Sequence, residues 1–242
     1  MIRSRTRYWS YIPLVLLVIF YLIPIYIMVI TGFKAGDEIS VKTMWDLPKT
    51  MGLENYLKAF KQLAPNLLNS FKVVIPAAIL SSILGSLNGY VLAKWKFKGA
   101  DVIFTLILFG MFIPYQSVLI PLVQFMDSIG LYGSIPGLIL VHIIYGIPIT
   151  TLTFRNYYAS IPNELIEAAK IDGADMLGIY RKILLPISIP SFVVVLIWQF
   201  TQAWNDFLFS VILTQPQNWT VTVALNNISG GQIIPWNLQM AA

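Results

Sequence analysis

Several apolar runs in this chain reach the roughly 20 residues that a helix needs to cross a hydrocarbon core, beginning with Tyr11–Phe33. Few soluble folds tolerate such runs. Of the 242 residues, 57% are hydrophobic and 11% charged, against roughly 25% charged in soluble domains. The fold class expected is an all-α membrane protein, a polytopic helical bundle forming one transmembrane domain over 1–242. Spans are expected at about 11–33, 67–92, 102–126, 134–154 and 187–213, with a further one starting at 236 and truncated by the end of the sequence. The first run lacks a small-residue cleavage site and reads as an anchor.

Charge sets the orientation. Arg3, Arg5 and Arg7 precede the first span, Lys94, Lys96 and Lys98 follow the second, and Arg155, Lys170, Arg181 and Lys182 follow the fourth. These share one side of the membrane if the N-terminus is cytoplasmic, which the positive-inside rule favours. The net charge of +5 then describes how loops meet the membrane, and no nucleic-acid partner is implied. With no cysteine and a single histidine, disulfides, Fe–S clusters and thiol catalysis are excluded and a zinc site is disfavoured. No catalytic residue and no metal ligand is singled out.

Ser81, Gly85, Gly89 and Ala93 recur every four residues in the second span. Such a small-residue stripe lets a neighbouring helix backbone approach closely. The cytoplasmic loop 155–186 is a charged island in an apolar chain. Pro162 suits a first helical turn and Glu164 lies where the helix dipole favours an acid. Leu165, Ala168 and Ala169 are expected on one helix face, Gly173 at a corner, and Met176, Leu177, Tyr180, Ile183 and Leu184 on a second short helix stopped by Pro186. A helix lying on lipid headgroups and a helix seated on a protein partner both fit this composition.

In the fifth span, Gln199, Gln202 and Asp206 lie at i, i+3 and i+7, with Asn205 beside them and Trp198 and Trp204 interleaved. Polar side chains inside a span usually face a cavity or a partner helix. Amides, a carboxylate and aromatic faces are also what a sugar requires. A structural role for Asp206, including a pair with Lys72, stands beside that pathway reading. His142 fits either a proton relay or a histidine hydrogen-bonded within the bundle, and Asn218-Trp219-Thr220 matches a glycosylation sequon.

The string Glu167-Ala168-Ala169, three residues, Gly173, nine residues, Ile183, one residue, Leu185-Pro186 resembles the EAA loop of bacterial and archaeal ABC importer permeases. Ile161-Pro162-Asn163-Glu164-Leu165, Asp172-Gly173-Ala174, Pro114 with Pro121, and Ala203-Trp204-Asn205-Asp206-Phe207 resemble its carbohydrate-uptake branch. Gln215 to Trp219 and Asn226-Asn227-Ile228 are similar to glucose or mannose importer subunits. The resemblance implies a six-span permease in a prokaryotic cell (inner) membrane, forming half of a sugar pathway with a second permease subunit. It further implies a dimeric cytoplasmic ATPase carrying ATP and Mg, a solute-binding protein outside, and no cofactor on this chain. Glu167, Ala168, Ala169 and Gly173 would then sit in the ATPase interface, while Ile183, Leu185 and Pro186 tie the loop to the fifth span. No phosphate-binding loop of the ATPase type occurs here. An ion-coupled secondary transporter is the alternative, although no internal repeat and only one acid well inside a span support it.

Overall fold

A computed structural model describes residues 11–95, 97–229 and 235–242; Arg3, Arg5, Arg7 and Lys96 of the charge argument lie outside them. Apart from one isolated bridge between Gly133 and Thr214, the described residues form helices and their connections. In order these are α1 (Tyr11–Phe33), α2 (Glu54–Lys94), α3 (Ala100–Phe109), α4 (Leu119–Ser128), α5 (Ile135–Ala159), α6 (Asn163–Ile171), α7 (Met176–Ile179), α8 (Leu185–Ile187), α9 (Ile189–Trp204), α10 (Leu208–Leu213), α11 (Val221–Ser229) and α12 (Trp236–Ala241). Among the described residues three helices are long and apolar enough to cross a membrane, or five if each of two bent pairs counts as one span.

The expected spans differ from these helices in four places, the fourth span running on to Ala159 instead of ending at 154. The second begins at Glu54 rather than 67 and continues for 41 residues, about twice what one crossing needs. The third is not a straight helix over 102–126: residues 100–112 and 115–128 meet at 91°. The break falls at Ile113-Pro114, where the proline disfavours helical φ/ψ in the residue before it. The fifth begins at Ile189 and stops at Trp204, and a short α10 follows instead of a continuous helix to 213.

The chain divides into two compact units, residues 1–65 with 223–242 and residues 66–222. In the first, α12 packs along α1. Gly32 admits the Tyr56 ring, and a Cβ there would lie 2.6 Å from the phenol oxygen. Tyr56 donates to the Val29 carbonyl at 3.0 Å, and Asn55 donates to the carbonyls of Gly32 and Lys34. Lys34 is buried, and its ammonium donates to the Thr43 carbonyl at 2.7 Å. The 34–66 segment is thus pinned through backbone carbonyls, since a buried charge without hydrogen bonds is costly.

The second unit is built on the α2–α5 seam. A Cβ at Gly85 would stand 2.8 Å from the Thr150 carbonyl carbon, and one at Gly89 2.6 Å from the Arg155 amide nitrogen. The small-residue stripe therefore lets two helix backbones touch. Thr150 Oγ1 crosses the seam to the Ser81 carbonyl at 3.1 Å. One buried cluster, Val73, Met126, Leu138, Val141, Phe209 and Leu213, gathers α2, α4, α5 and α10. A second, including Tyr90, Phe154, Tyr158, Ile166, Ile179, Leu184 and Val195, joins α2 and α5 to the loop helices and α9.

Gly85→Val drives a branched side chain into the α5 backbone and should destabilise the protein by about 1–3 kcal/mol, the usual range for overpacking. Gly36→Ala, with nothing within 4 Å of the added carbon, should stay within about 0.5 kcal/mol. Thermal unfolding of both variants in the same detergent checks the contrast.

Candidate functional site: a loop elbow and a membrane cavity

The loop 155–186 forms the expected helix, corner and second helix. Ile166 and Ala169 are buried, while Leu165, Glu167 and Ala168 are exposed. Of the face expected to hold Leu165, Ala168 and Ala169, the first two point outward together and Ala169 is buried. The physical reason is the apolar cluster beneath: the branched Ile166 fills it, and Leu165 is left outside. Ile171 is 87% exposed, so the outward face presents Leu165, Ala168 and Ile171 between Glu164 and Glu167.

Gly173 has φ +81°. Ala174 N–H reaches the Ala169 carbonyl and Gly173 N–H the Lys170 carbonyl, the pair of bonds that closes a helix on a left-handed glycine. Asp175 then caps α7, accepting from the Gly178 N–H at 2.9 Å. Residues 180–184 form a π turn, which shifts the helical phase. Met176 and Leu177 consequently point outward while Ile179, Tyr180 and Leu184 are buried. The single face expected for Met176 to Leu184 is not formed. Ile183 and Leu185 pack against the loop cluster, and Pro186 is exposed. Pro186 does not end the segment; the axis turns by 77° at Ser188.

Lys94 donates to Asn163 Oδ1 at 2.8 Å and to the Ile161 carbonyl, fixing the start of α6 to the end of α2. Lys170 lies 4.6 Å from the Trp95 ring centroid, a cation–π distance.

The second place of interest is a cavity of about 960 Å³ within the second unit, lined by Gly110, Met111, Ile113 and Tyr115 at the α3 break, by α5, and by the end of α9. Gln199, Gln202, Asn205 and Asp206 all border it, so four of the five expected pathway residues are brought together. Trp204 is not among the lining; it stacks on Phe200 and meets Phe71 edge-on, with ring centroids 5.6 and 5.1 Å away. Trp198, Tyr115 and Tyr145 supply the aromatic wall. Gln199 is buried, and its amide donates to Ser81 Oγ at 3.0 Å; Gly146 leaves the room it occupies. Gln202 and Asn205 are exposed.

Asp206 does structural work as well. Its carboxylate accepts from the N–H groups of Phe209 (3.3 Å) and Ser210 (3.1 Å), capping α10. Its backbone carbonyl accepts from Thr222 Oγ1 at 2.7 Å. The side chain faces His142, with Nε2 3.6 Å from Oδ2, and not the exposed Lys72. His142 therefore belongs to the cavity wall beside Asp206, a pairing that its place in the fourth span gave no means to see. Among the described residues no cluster of three or more metal-ligand side chains occurs. Asn218 of the sequon is half-buried and donates to the Gly133 carbonyl at 2.7 Å.

Residues 85–242 match the family of binding-protein-dependent transport system inner membrane components. A probable ABC transporter permease of Pyrococcus horikoshii is 47% identical over 98% of this chain and 87% of its own. The xylose/arabinose import permease protein of Haloferax volcanii is 38% identical over 80% and 69%. The glucose import system permease protein of Saccharolobus solfataricus is 35% identical over 96% and 84%. In fold, the chain is similar to a bacterial ABC transporter involved in the import of the acidic polysaccharide alginate. That match has a TM-score of 0.79 at 21% identity, over 98% of this chain and 91% of the other. The chain belongs to the binding-protein-dependent transport system inner membrane components. It is a permease subunit of an ABC importer, not an ion-coupled secondary transporter.

Asp206→Ala removes the α10 cap, and a lost cap of about 1 kcal/mol should speed amide exchange at Phe209 and Ser210 about fivefold. Asp206→Asn should stay close to the parent. Hydrogen exchange read by mass spectrometry distinguishes them.

Proposed function

We propose that this chain forms half of the pathway by which a sugar is imported across a prokaryotic cell membrane, with its N-terminus and its 155–186 loop in the cytoplasm. The observation that carries the reading is the pairing of two features in one unit. A glycine-cornered elbow presents an apolar outer face, and a cavity joins amides and a carboxylate to aromatic rings. Sugars are held by that combination of directional hydrogen bonds and flat apolar faces. The relatives named for xylose/arabinose and for glucose import support the substrate class.

The elbow seats a dimeric cytoplasmic ATPase that binds ATP and Mg. Leu165, Ala168 and Ile171 enter the interface, Glu167 borders it, and Gly173 with the buried Ala169 shapes the corner. Ile183, Leu185 and Pro186 connect the elbow to α9. A second permease subunit completes the pathway, and a solute-binding protein delivers the sugar from outside. Within the cavity, Gln202 and Asn205 have their amides free to bind hydroxyls, while Gln199 and Asp206 hold the wall in shape. Trp204 supports α9 from behind.

Ala168→Trp puts a large ring on the outward face without touching the buried one. It should abolish co-purification of the ATPase with an otherwise well-folded permease, whereas retained ATPase would refute the docking reading. Gln202→Ala with Asn205→Ala should leave the ATPase bound and lower sugar uptake at least about tenfold, the effect of losing two hydrogen bonds to a neutral ligand. Uptake in proteoliposomes measures it.

A further inference from the structure

Four buried hydroxyl groups form a line beneath the elbow. Tyr180 Oη lies 2.9 Å from Ser86 Oγ, Ser86 Oγ lies 2.6 Å from Tyr158 Oη, and Tyr158 Oη donates to Ser188 Oγ at 3.1 Å. Ser188 Oγ donates in turn to the Leu185 carbonyl at 3.0 Å. Ser86, Tyr158 and Ser188 have no exposed surface, and Tyr180 has 6%.

The direction of the whole line follows from counting protons. A hydroxyl has one hydrogen to donate. Ser188 gives its own to Leu185, so it accepts from Tyr158. Tyr158 has then nothing left for Ser86 and must accept from it, and Ser86 must accept from Tyr180. The only consistent order runs Tyr180 to Ser86 to Tyr158 to Ser188 to the Leu185 carbonyl. Every member is satisfied, and none has a spare proton for another arrangement.

The two ends of this line lie on the 180–188 segment, and its middle members lie on α2 and at the end of α5. It therefore fastens both sides of the π turn and the 77° bend to the α2–α5 seam. Ser188 is the residue at which that bend occurs. Neighbouring contacts reinforce the same joint: Tyr90 stacks on Tyr180 with centroids 5.6 Å apart, and Tyr157 donates to the Ile187 carbonyl at 2.7 Å. Beyond Ser188, α9 continues to Trp198, Gln199 and Gln202 at the cavity. A bend next to a π turn is where a helix yields most readily. Left free, it would absorb a displacement of the elbow. A fully satisfied buried network is stiff and has few alternative arrangements.

We propose that Tyr180, Ser86, Tyr158 and Ser188 are positioning residues that make the elbow and the start of α9 move as one body. Motion of a docked ATPase is thereby delivered to the cavity wall instead of being lost at Ser188. The proposal rests on the docking reading above and goes beyond it, because docking alone does not require the joint to be rigid.

The test uses the assembled importer in nanodiscs. The chain contains no cysteine, so Trp198→Cys places one reporter thiol on α9 at the cavity. Its labelling rate with a charged maleimide, followed on this chain by mass spectrometry, is compared without nucleotide and with ATP plus vanadate. The reporter chain should show a clear nucleotide-dependent change in rate. Added to it, Tyr180→Phe keeps the stacked ring and deletes one hydroxyl; Ser86→Ala cuts the line in the middle. Tyr180→Phe should shrink that change about fivefold, as expected for one lost hydrogen bond, and Ser86→Ala, which loses two, by at least as much, while the ATPase still co-purifies and hydrolyses ATP.

An undiminished response in both variants overturns the proposal, and does so even if their melting temperatures fall, since that pattern marks a purely structural network. If the reporter chain retains the ATPase but shows no nucleotide-dependent change, transmission through this joint is overturned while docking stands. If it fails to retain the ATPase at all, the docking reading fails and this proposal fails with it. Should Ser86→Ala not fold, Tyr180→Phe alone decides, because its ring packing is unchanged.

Discussion

The contact between the backbones of α2 and α5 supports almost everything else in the second unit. Two helices in lipid gain little from excluding water, so their association depends on close packing and on hydrogen bonds across the interface. Gly85 and Gly89 supply the closeness, and Thr150 to Ser81 supplies a hydrogen bond. The same seam then serves two ends. Toward the cavity, Ser81 holds Gln199 in the space that Gly146 leaves. Toward the loop, Ser86 and Tyr158 hold the 180–188 segment. The elbow and the cavity are mounted on one strip.

Interrupted helices border that strip at the cavity. Irregular backbone at membrane depth is tolerated where it lines a cavity or is covered by protein. Both interruptions at the cavity obey this: Gly110, Met111, Ile113 and Tyr115 at one, and residues 205–208 at the other, form its wall. The second is stabilised by Asp206, whose carboxylate meets the first N–H groups of α10 and lies beside His142. A charge in that position is useful for the fold before it is useful for a ligand, which separates it from the freer amides of Gln202 and Asn205.

Much of this was legible beforehand, and the limits are instructive. The elbow could be placed because its corner glycine, its proline and acid at the helix start and its charged setting are local signals. Which of its residues turn inward was not legible, because Leu165 and Ile166 are both apolar and only the cluster beneath selects between them. The cavity strip on α9 was visible through its polar residues at helical spacing. Trp204 was assigned to it because spacing alone does not distinguish a ring facing a void from one stacked on Phe200 and Phe71.

Composition and span length determined the solvent and the helical class, since both follow from transfer free energies summed over many residues. The spacing around Gly173 determined that a corner would occur, because positive φ is a property of one position. Tertiary structure alone decided that His142 sits beside Asp206 and that four hydroxyls from three separate segments form one directed line. Those facts depend on which distant side chains meet, and no local preference encodes a partner some 70 to 100 residues away.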